Sequence, residues 1–505
     1  MQSFSGKFYQ ISSLPRSWML MGYILPMSLA CAGIAGLPMV MGVVSVLAAW
    51  FCCLILGERT EALMVLTPYS TLVLSAAIAF YRGVLAEQTA VASLLTLFTG
   101  IWLLLLSMVF PRKRMNWIAR PVWHGICLGI IATLGMLMVP VMLGVTPDGN
   151  FWPSFWTAVL QWQNWNWPSV VLALISIMLF LIWRPAHQPK ALWLIVLMWI
   201  IDQIWPFNVL GVATSMQQQW QLWPLLKVAH PDWLSIIFMS ASVALLIFVE
   251  ICQHQASRMQ HCFVMASISN MMSALLGGMV VGLCRFSGRV YKIDRRTLLI
   301  TLLLLIYVYY FSWSFEVPLP VLAVIVLYMM YKQFSWSELR LYKRQWADLV
   351  LLYLTAFLIF SLGVLSGLWL VMTFSLIFMW WRLLREHAWP LLPANVQIIT
   401  GAIVITMPQV LLFANARFLL YQVGNLAKEL PQQDVYVDVS KGCRIDITVL
   451  IYLQSLARRM HWHGKKLFIC GLTEQNLKTL TVKSLDYLPS EQLCSSRAVH
   501  LLHIN

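Results

Sequence analysis

GAIVITMPQVLLFANARFLLYQVGNL (residues 401–426) and DVYVDVSKGCRIDITVLIYLQSLARRMHWHGKKLFICGL (residues 434–472) read as a water-soluble α/β segment. Apolar runs here shrink to strand length and alternate with amphipathic helical stretches. The pattern predicts strands over 402–407, 409–413, 435–439 and 467–470, with helices over 415–428 and 446–460. A third helix over 473–481 is expected to be capped by Thr473, with Glu474 in its first turn. A tail of about 115 residues, from 391 to 505, is long enough to fold by itself as an α/β layer.

Upstream of about residue 390 the solvent changes. The chain has 505 residues, of which 60% are hydrophobic and 10% charged, with a mean hydropathy of +0.76. So little polar surface cannot cover a water-soluble body of this size, which places residues 1–390 in the membrane class. A spanning helix needs about 20 mostly apolar residues. Such runs occupy 18–35, 37–56, 69–82, 91–110, 121–143, 168–183, 191–205, 234–252, 262–283, 297–312, 318–331, 347–365 and 368–384. A further short element around 284–294 brings the expected count to about fourteen spans.

The net charge of +15 follows topology rather than nucleic-acid binding. Arg112, Lys113, Arg114 and Arg120 follow the fourth run, Arg184 and Lys190 the sixth, and Arg258 the eighth. The loop 146–168 between them has neither Lys nor Arg. Basic residues confined to alternate loops mark the cytoplasmic side, and an even span count then places both termini there. The first apolar run leads straight into another span, so no cleavable signal peptide is expected. Cys31, Cys52, Cys53, Cys127 and Cys252 lie inside apolar runs without a CxxC pair and read as small buried hydrophobes. Trp152, Trp156, Trp162, Trp165 and Trp167 suit an interfacial belt.

Three features of the membrane body carry chemistry. In ILPMSLACAGIAGLPMVMGV (residues 24–43), Ser28, Ala32 and Gly36 form a small-residue stripe that lets a neighbouring helix approach closely. In Leu66-Thr67-Pro68-Tyr69-Ser70-Thr71, a Thr cap and a Pro at the first helical position start a helix inside the apolar zone. That start is expected to leave the amides of Tyr69, Ser70 and Thr71 free, at a helix end carrying about half a positive charge, where an anion can bind. The alternative is an ordinary helix cap. Glu250, in an apolar run, shares a helical face with Ser242, Gln253 and Ser257, and an ionisable group in that setting is expensive and so usually functional. Arg258 is near enough along the helix to offer a simple ion pair instead. Asp202 lies near the outer boundary and reads as solvated. The chain has no HExxH, GxSxG or P-loop pattern, and His461 and His463 read as solvated residues rather than metal ligands, so neither an enzyme nor a cofactor is expected.

The strings themselves resemble a known family. LLFANARFL and DVSKGCRIDITVL are similar to the entry and loop of the STAS domain, and residues 24–43 resemble the first-helix pattern LPxSLAxAxIAGLPxxxG of the sulfate permease (SulP) family. ALLIFVEIC resembles that family's eighth-helix ALLGAIES segment, and MASISNMMSALLGGMV its QGLANxxSxLFGG stretch, with Asn270, Gly277 and Gly278 matching. The resemblance implies two inverted repeats of seven helices, with half-helices three and ten meeting around the anion, followed by a cytoplasmic STAS domain. It implies a secondary active carrier of sulfate first, or of bicarbonate, chloride or a dicarboxylate, working by alternating access. Met27, Cys31, Tyr69, Ser70, Thr71, Arg285 and Ser287 would then line the anion site, and Glu250 would couple transport to a proton or sodium ion. Thr448 falls at the phosphorylatable hydroxyl of regulatory STAS relatives, although Val449 replaces the glycine that follows there; its simpler reading is a hydroxyl at a helix start. A homodimer in the bacterial inner membrane, with no nucleic-acid partner, completes the implied picture. In GLCRFSGRVYKIDRRT (residues 282–297) the family's tenth-helix motif is not restored by any alignment, which keeps open a scaffold that retains the body without transporting.

Overall fold

The computed structural model describes residues 13–56, 63–79, 81, 85–109, 118–145, 151–182, 190–204, 211–213, 232–253, 259–284, 299–300, 302–303, 306, 316–334, 336, 339, 342, 346–385, 395–399, 402–406, 410–411, 434–438, 444–445, 449, 467–470 and 493–494. Among these, five helices are long and apolar enough to cross a bilayer: Met39–Leu56, Glu87–Met108, Arg120–Met142, Trp233–Gln253 and Val364–Trp381. Shorter apolar helices lie beside them in sequence, and the body is a polytopic α-helical membrane domain.

Contacts divide the chain into two compact units. The first takes residues 1–110, 127–334 and 362–366. It opens with α1 (Ser13–Ile34) and α2 (Met39–Leu56). They are joined by a turn in which Gly36 adopts φ +67°, a left-handed conformation that glycine reaches without a Cβ penalty. The expected small-residue stripe is thereby corrected at one end: α1 stops at Ile34, so Gly36 makes the turn instead of extending the helical face. Ser28 and Ala32 do face a neighbour, because a Cβ placed on Gly42 of α2 would lie 2.3 Å from the Ser28 carbonyl oxygen and 3.3 Å from the Ala32 Cβ.

After α2 come β1 (Leu63–Val65), α3 (Pro68–Ile78) and α4 (Leu85–Val109). Helix α4 packs against two later helices, Trp233–Gln253 and Met259–Leu275. Gly100 admits the second of these, since a Cβ there would stand 2.8 Å from the Ser267 carbonyl oxygen. The Trp102 indole N–H donates 3.2 Å to the Ile237 carbonyl of the first.

The apolar run 262–283 is not one continuous span, contrary to expectation. The helix ends at Leu275, Gly277 turns the chain at φ +75°, and residues 278–281, without regular structure, lead into β3 (Gly282–Cys284). The Gly278 N–H donates 2.7 Å to the Ser273 carbonyl, and the Gly277 N–H donates 3.1 Å to the Ala274 carbonyl, closing the helix end. Strand β3 pairs antiparallel with β1, with Met64 opposite Leu283. A second antiparallel ribbon joins β2 (Gly211–Ala213) to β4 (Glu316–Pro318), which feeds the helix Leu319–Gln333. None of these four strands was expected.

The second unit takes residues 111–126, 335–361 and 367–505. Its sheet has the order β11-β10-β8-β6-β5, from strands Asn395–Ile399 (β5), Ala402–Thr406 (β6), Asp434–Asp438 (β8), Leu467–Cys470 (β10) and Leu493–Cys494 (β11). Strands β5 and β6 form an antiparallel pair, and the other neighbours are parallel. Parallel neighbours need long crossovers, and the chain between Thr406 and Asp434 and between Asp438 and Leu467 is long enough to supply them. Tyr436 and Phe468, directly opposite in register, stack at 4.7 Å. The strands expected at 402–407, 435–439 and 467–470 are present within a residue at their ends. The expected strand 409–413 shrinks to β7 (Val410–Leu411), paired in parallel with β9 (Arg444–Ile445), and β5 and β11 were unforeseen. Of the three expected tail helices, only Val449, buried and helical, lies within the described residues.

Candidate functional site

The site grows from the start of α3. Strand β1 delivers the chain to Thr67, whose backbone is extended at φ −109° and ψ 139° and whose Oγ1 accepts the Ser70 N–H at 3.3 Å. Pro68 follows in the first turn, where a missing N–H costs nothing. The Ser70 hydroxyl donates 3.1 Å to the Thr67 carbonyl and stands 2.8 Å from the Thr67 Oγ1, so the two side chains close a small ring of bonds. The Thr71 N–H donates 3.0 Å to the Thr67 carbonyl. This corrects one expectation: the amides of Ser70 and Thr71 serve the cap and are not left free. The helix start itself, buried in the apolar body, is as the Thr-Pro pair predicts.

Side chains converge on this helix start from three other helices. Cys31 of α1, fully buried, brings its thiol beside the Thr71 hydroxyl. The Thr71 Oγ1 is itself buried and makes no hydrogen bond of ordinary geometry among the described residues. Met27 lies one turn earlier on α1 and is also buried. Cys127, from the helix Arg120–Met142, hydrogen-bonds the Tyr69 hydroxyl, and both feel the charge of Glu250.

Glu250 lies near the end of Trp233–Gln253 and is only 4% exposed. The Leu283 N–H of β3 is directed at its carboxylate, while Oε2 has no partner among the described residues. A Cβ built on Gly282 would lie 2.8 Å from that Oε2 and 2.9 Å from the Thr67 Oγ1. Only a glycine lets the β3 backbone pass between the carboxylate and the α3 cap. Ser242 and Gln253 on the same helix are buried, as a polar face turned away from lipid requires. Arg285, Ser287, Ser257, His254 and Thr448 lie outside the described residues, as do His461 and His463.

The structure therefore brings Cys31, Tyr69, Thr71 and Glu250 to one place and adds Thr67, Cys127 and Gly282. Nothing in the apolar run around Cys127 distinguishes it from Cys52 or Cys53, so by sequence it reads as a small hydrophobe. Asp202 lies in the helix Lys190–Ile204, near its end. No group of three or more His, Cys, Asp or Glu side chains able to hold a metal ion occurs among the described residues. Neutral hydroxyls and thiols around one carboxylate, at the start of a helix, can hold a small ion by hydrogen bonding and dipole attraction and can bind or release a proton.

Residues 17–254 match the model of the sulfate permease family. No curated protein matches the chain by sequence. Among solved structures, murine solute carrier 26 family member A9, an anion transporter in the inward-facing state, is similar at a TM-score of 0.61 and 14% identity, over 99% of this chain and 93% of that one. Another structure of solute carrier 26 family member A9 gives a TM-score of 0.60 at 14% identity, over 98% and 90% of the two chains. The transmembrane domain of the cyanobacterial bicarbonate transporter BicA gives 0.56 at 19% identity, covering 72% of this chain and 96% of that one.

Proposed function

We infer that this chain, whose residues 17–254 match the sulfate permease family, is a member of that family and a secondary active carrier of a small inorganic or carboxylate anion. Family membership points to a transporter and not to a catalyst. The observation that carries the reading is the buried start of α3, ringed by Tyr69, Thr71, Cys31 and Cys127 and faced by Glu250. The fold agrees with that of proteins described as an anion transporter and a bicarbonate transporter.

In this reading the anion sits at the α3 N-terminus, with Met27, Cys31, Tyr69, Ser70, Thr71, Arg285 and Ser287 around it. The helix dipole and the Thr71 hydroxyl supply attraction without requiring a buried lysine. Sulfate is the first substrate to test, ahead of bicarbonate, chloride and dicarboxylates. Glu250 takes up a proton with the anion, so that the pair crosses with less net charge, and the body alternates access between half-helices of two inverted repeats. The sheet of the second unit belongs to a cytoplasmic STAS domain over residues 391–505, with Thr448 as its regulatory position, behind a transmembrane domain over 1–390. The carrier works as a homodimer in the bacterial inner membrane, with both termini in the cytoplasm.

The test is sulfate uptake into proteoliposomes of the full chain. Wild-type uptake is expected to rise as the outside is acidified, because protonation of the carboxylate from that side precedes anion entry. Glu250→Gln, a fixed mimic of the protonated group, is expected to flatten that dependence. Unchanged uptake and pH dependence in the variant would remove Glu250 from the coupling step. Absence of saturable flux for sulfate, bicarbonate, chloride and dicarboxylates alike would leave the scaffold reading in its place.

Thr71 offers a second check. Among the described residues the Thr71 hydroxyl has the Cys31 thiol, a weak partner, beside it and no other hydrogen bond, so Thr71→Val is expected to leave the thermal midpoint of the ligand-free protein unchanged or higher. If the hydroxyl meets the anion, the half-saturation concentration for sulfate rises roughly tenfold, the loss of one hydrogen bond to a charged partner. An unaltered half-saturation would place the anion elsewhere.

A further inference from the structure

A two-stranded ribbon inside a membrane protein has two open edges, and the bilayer supplies no water to satisfy them. In an antiparallel pair, alternate residues turn their N–H and C=O outward. Met64 on β1 and Leu283 on β3 are such a pair. Both outer edges are met by side chains. On the β1 edge, the Trp50 indole N–H donates 3.1 Å to the Met64 carbonyl, and the Met64 N–H is directed at the Cys53 thiol. On the β3 edge, Asn270 lies against the backbone of Val281: its Oδ1 accepts the Val281 N–H at 2.9 Å and its Nδ2 donates 3.0 Å to the Val281 carbonyl. One amide side chain thus reproduces both bonds of a missing strand. Two residues on, the Leu283 N–H meets the carboxylate of Glu250 on the same edge.

The clamp extends upstream. The Ser45 hydroxyl accepts the Met279 N–H at 2.6 Å, and the Ser273 hydroxyl donates 2.7 Å to the Met279 carbonyl. Trp50, Asn270, Ser45 and Ser273 are all buried at essentially zero exposure. Asn270 also donates 2.8 Å to the Ala266 carbonyl one helical turn back, which fixes its rotamer. The ribbon so held is the part of the chain that places Thr67 and Gly282 against the Glu250 carboxylate.

We propose that Trp50 and Asn270 are positioning residues that close the two outer edges of the β1–β3 ribbon, and that the ribbon moves and holds as one body to set the geometry of the ion site beneath α3. The proposal rests on the carrier reading for its effect on transport, while the ribbon itself is tested independently of transport. Trp50→Phe keeps an aromatic ring but removes the indole bond to Met64 together with part of the buried volume; Asn270→Ala removes both bonds to Val281 and the bond to Ala266.

Each variant is reconstituted as the full chain in vesicles for sulfate uptake and in lipid nanodiscs for hydrogen–deuterium exchange. Both are expected to raise the half-saturation concentration for sulfate roughly tenfold, with the maximal rate within about twofold, because the site is displaced rather than removed. Each is also expected to quicken exchange in both peptides, 63–67 and 279–284, whichever strand carries the substitution. A half-saturation unchanged from a transporting wild type overturns the proposal, as does exchange that quickens only in the strand next to the altered side chain. Should Asn270→Ala fail to fold, Trp50→Phe carries the same two readouts. A wild type without sulfate flux in the same vesicles counts against the carrier reading, and the exchange pattern then decides the ribbon by itself.

Discussion

If the chain carries sulfate as proposed, Gly282→Ala is expected to lower its uptake about a hundredfold, the penalty for displacing reacting or binding groups by about 1 Å, while the protein still folds and reconstitutes. The added Cβ would lie 2.8 Å from the Glu250 Oε2, 2.9 Å from the Thr67 Oγ1 and 3.2 Å from the Thr67 Cγ2. Gly282 lies in a strand and not at a positive φ, so alanine suits its backbone and the effect comes through space. The Glu250 carboxylate is the end of a flexible side chain and can swing away. Thr67 cannot follow cheaply, because its hydroxyl is tied to the Ser70 N–H and hydroxyl and its loss would open the α3 cap. The carboxylate and the helix start therefore part. Uptake, thermal midpoint and monodispersity measured together check the expectation. Wild-type uptake from the alanine variant would show that the space beside Gly282 is not part of the transport path.

Gly42→Ala is expected to produce the largest loss of stability among single methyl additions to the α1–α2 pair. Its Cβ would meet the Ser28 carbonyl oxygen at 2.3 Å and the carbonyl carbon at 2.9 Å. Both are backbone atoms, so no rotamer change relieves the clash and the two helices must separate. Overpacking of this kind costs about 1–3 kcal/mol, occasionally more. The same displacement shifts Cys31 relative to Thr71, since both Ser28 and Cys31 ride on α1. Gly33→Ala, also on α1, is the matched control: among the described residues no atom outside its own helix backbone lies within 4 Å of its added Cβ, and alanine is the better helix former. The thermal midpoint is expected to fall for Gly42→Ala and to hold or rise for Gly33→Ala. Equal midpoints would mean that α1 and α2 do not approach as closely as their backbones indicate.

The site is partly legible in the sequence. The Thr67-Pro68 pair marks a helix start inside an apolar run because a cap and a proline have few other uses there. Glu250 stands out because a carboxylate among aliphatic residues is costly. Asn270 is as conspicuous a polar residue in its own run, yet its role was not readable, since it depends on Val281 lying across from it after the turn at Gly277. Trp50 and Cys127 gave no signal at all: an aromatic ring or a thiol in an apolar helix is ordinary, and only the Met64 carbonyl or the Tyr69 hydroxyl makes it particular. The free amides expected at Ser70 and Thr71 were misjudged for a related reason, as the side chains of Thr67 and Ser70 complete the cap locally.

In the tail, short apolar runs of strand length stand out between polar stretches, which is why β6, β8 and β10 were legible. Strand β5 escaped because Asn395–Ile399 is a short mixed segment whose strand character comes from pairing with β6.

The succession of apolar helices was legible in the sequence alone, because hydrophobicity and helical length are properties of each segment and sum along the chain. The β1–β3 ribbon, the break after Leu275 and the meeting of Glu250, Gly282 and Thr67 were decided only by the tertiary structure. Three-residue strands carry too little periodic signal to be read, and what stabilises them is hydrogen bonding to partners distant in sequence, inside a body where no water can stand in for a missing partner.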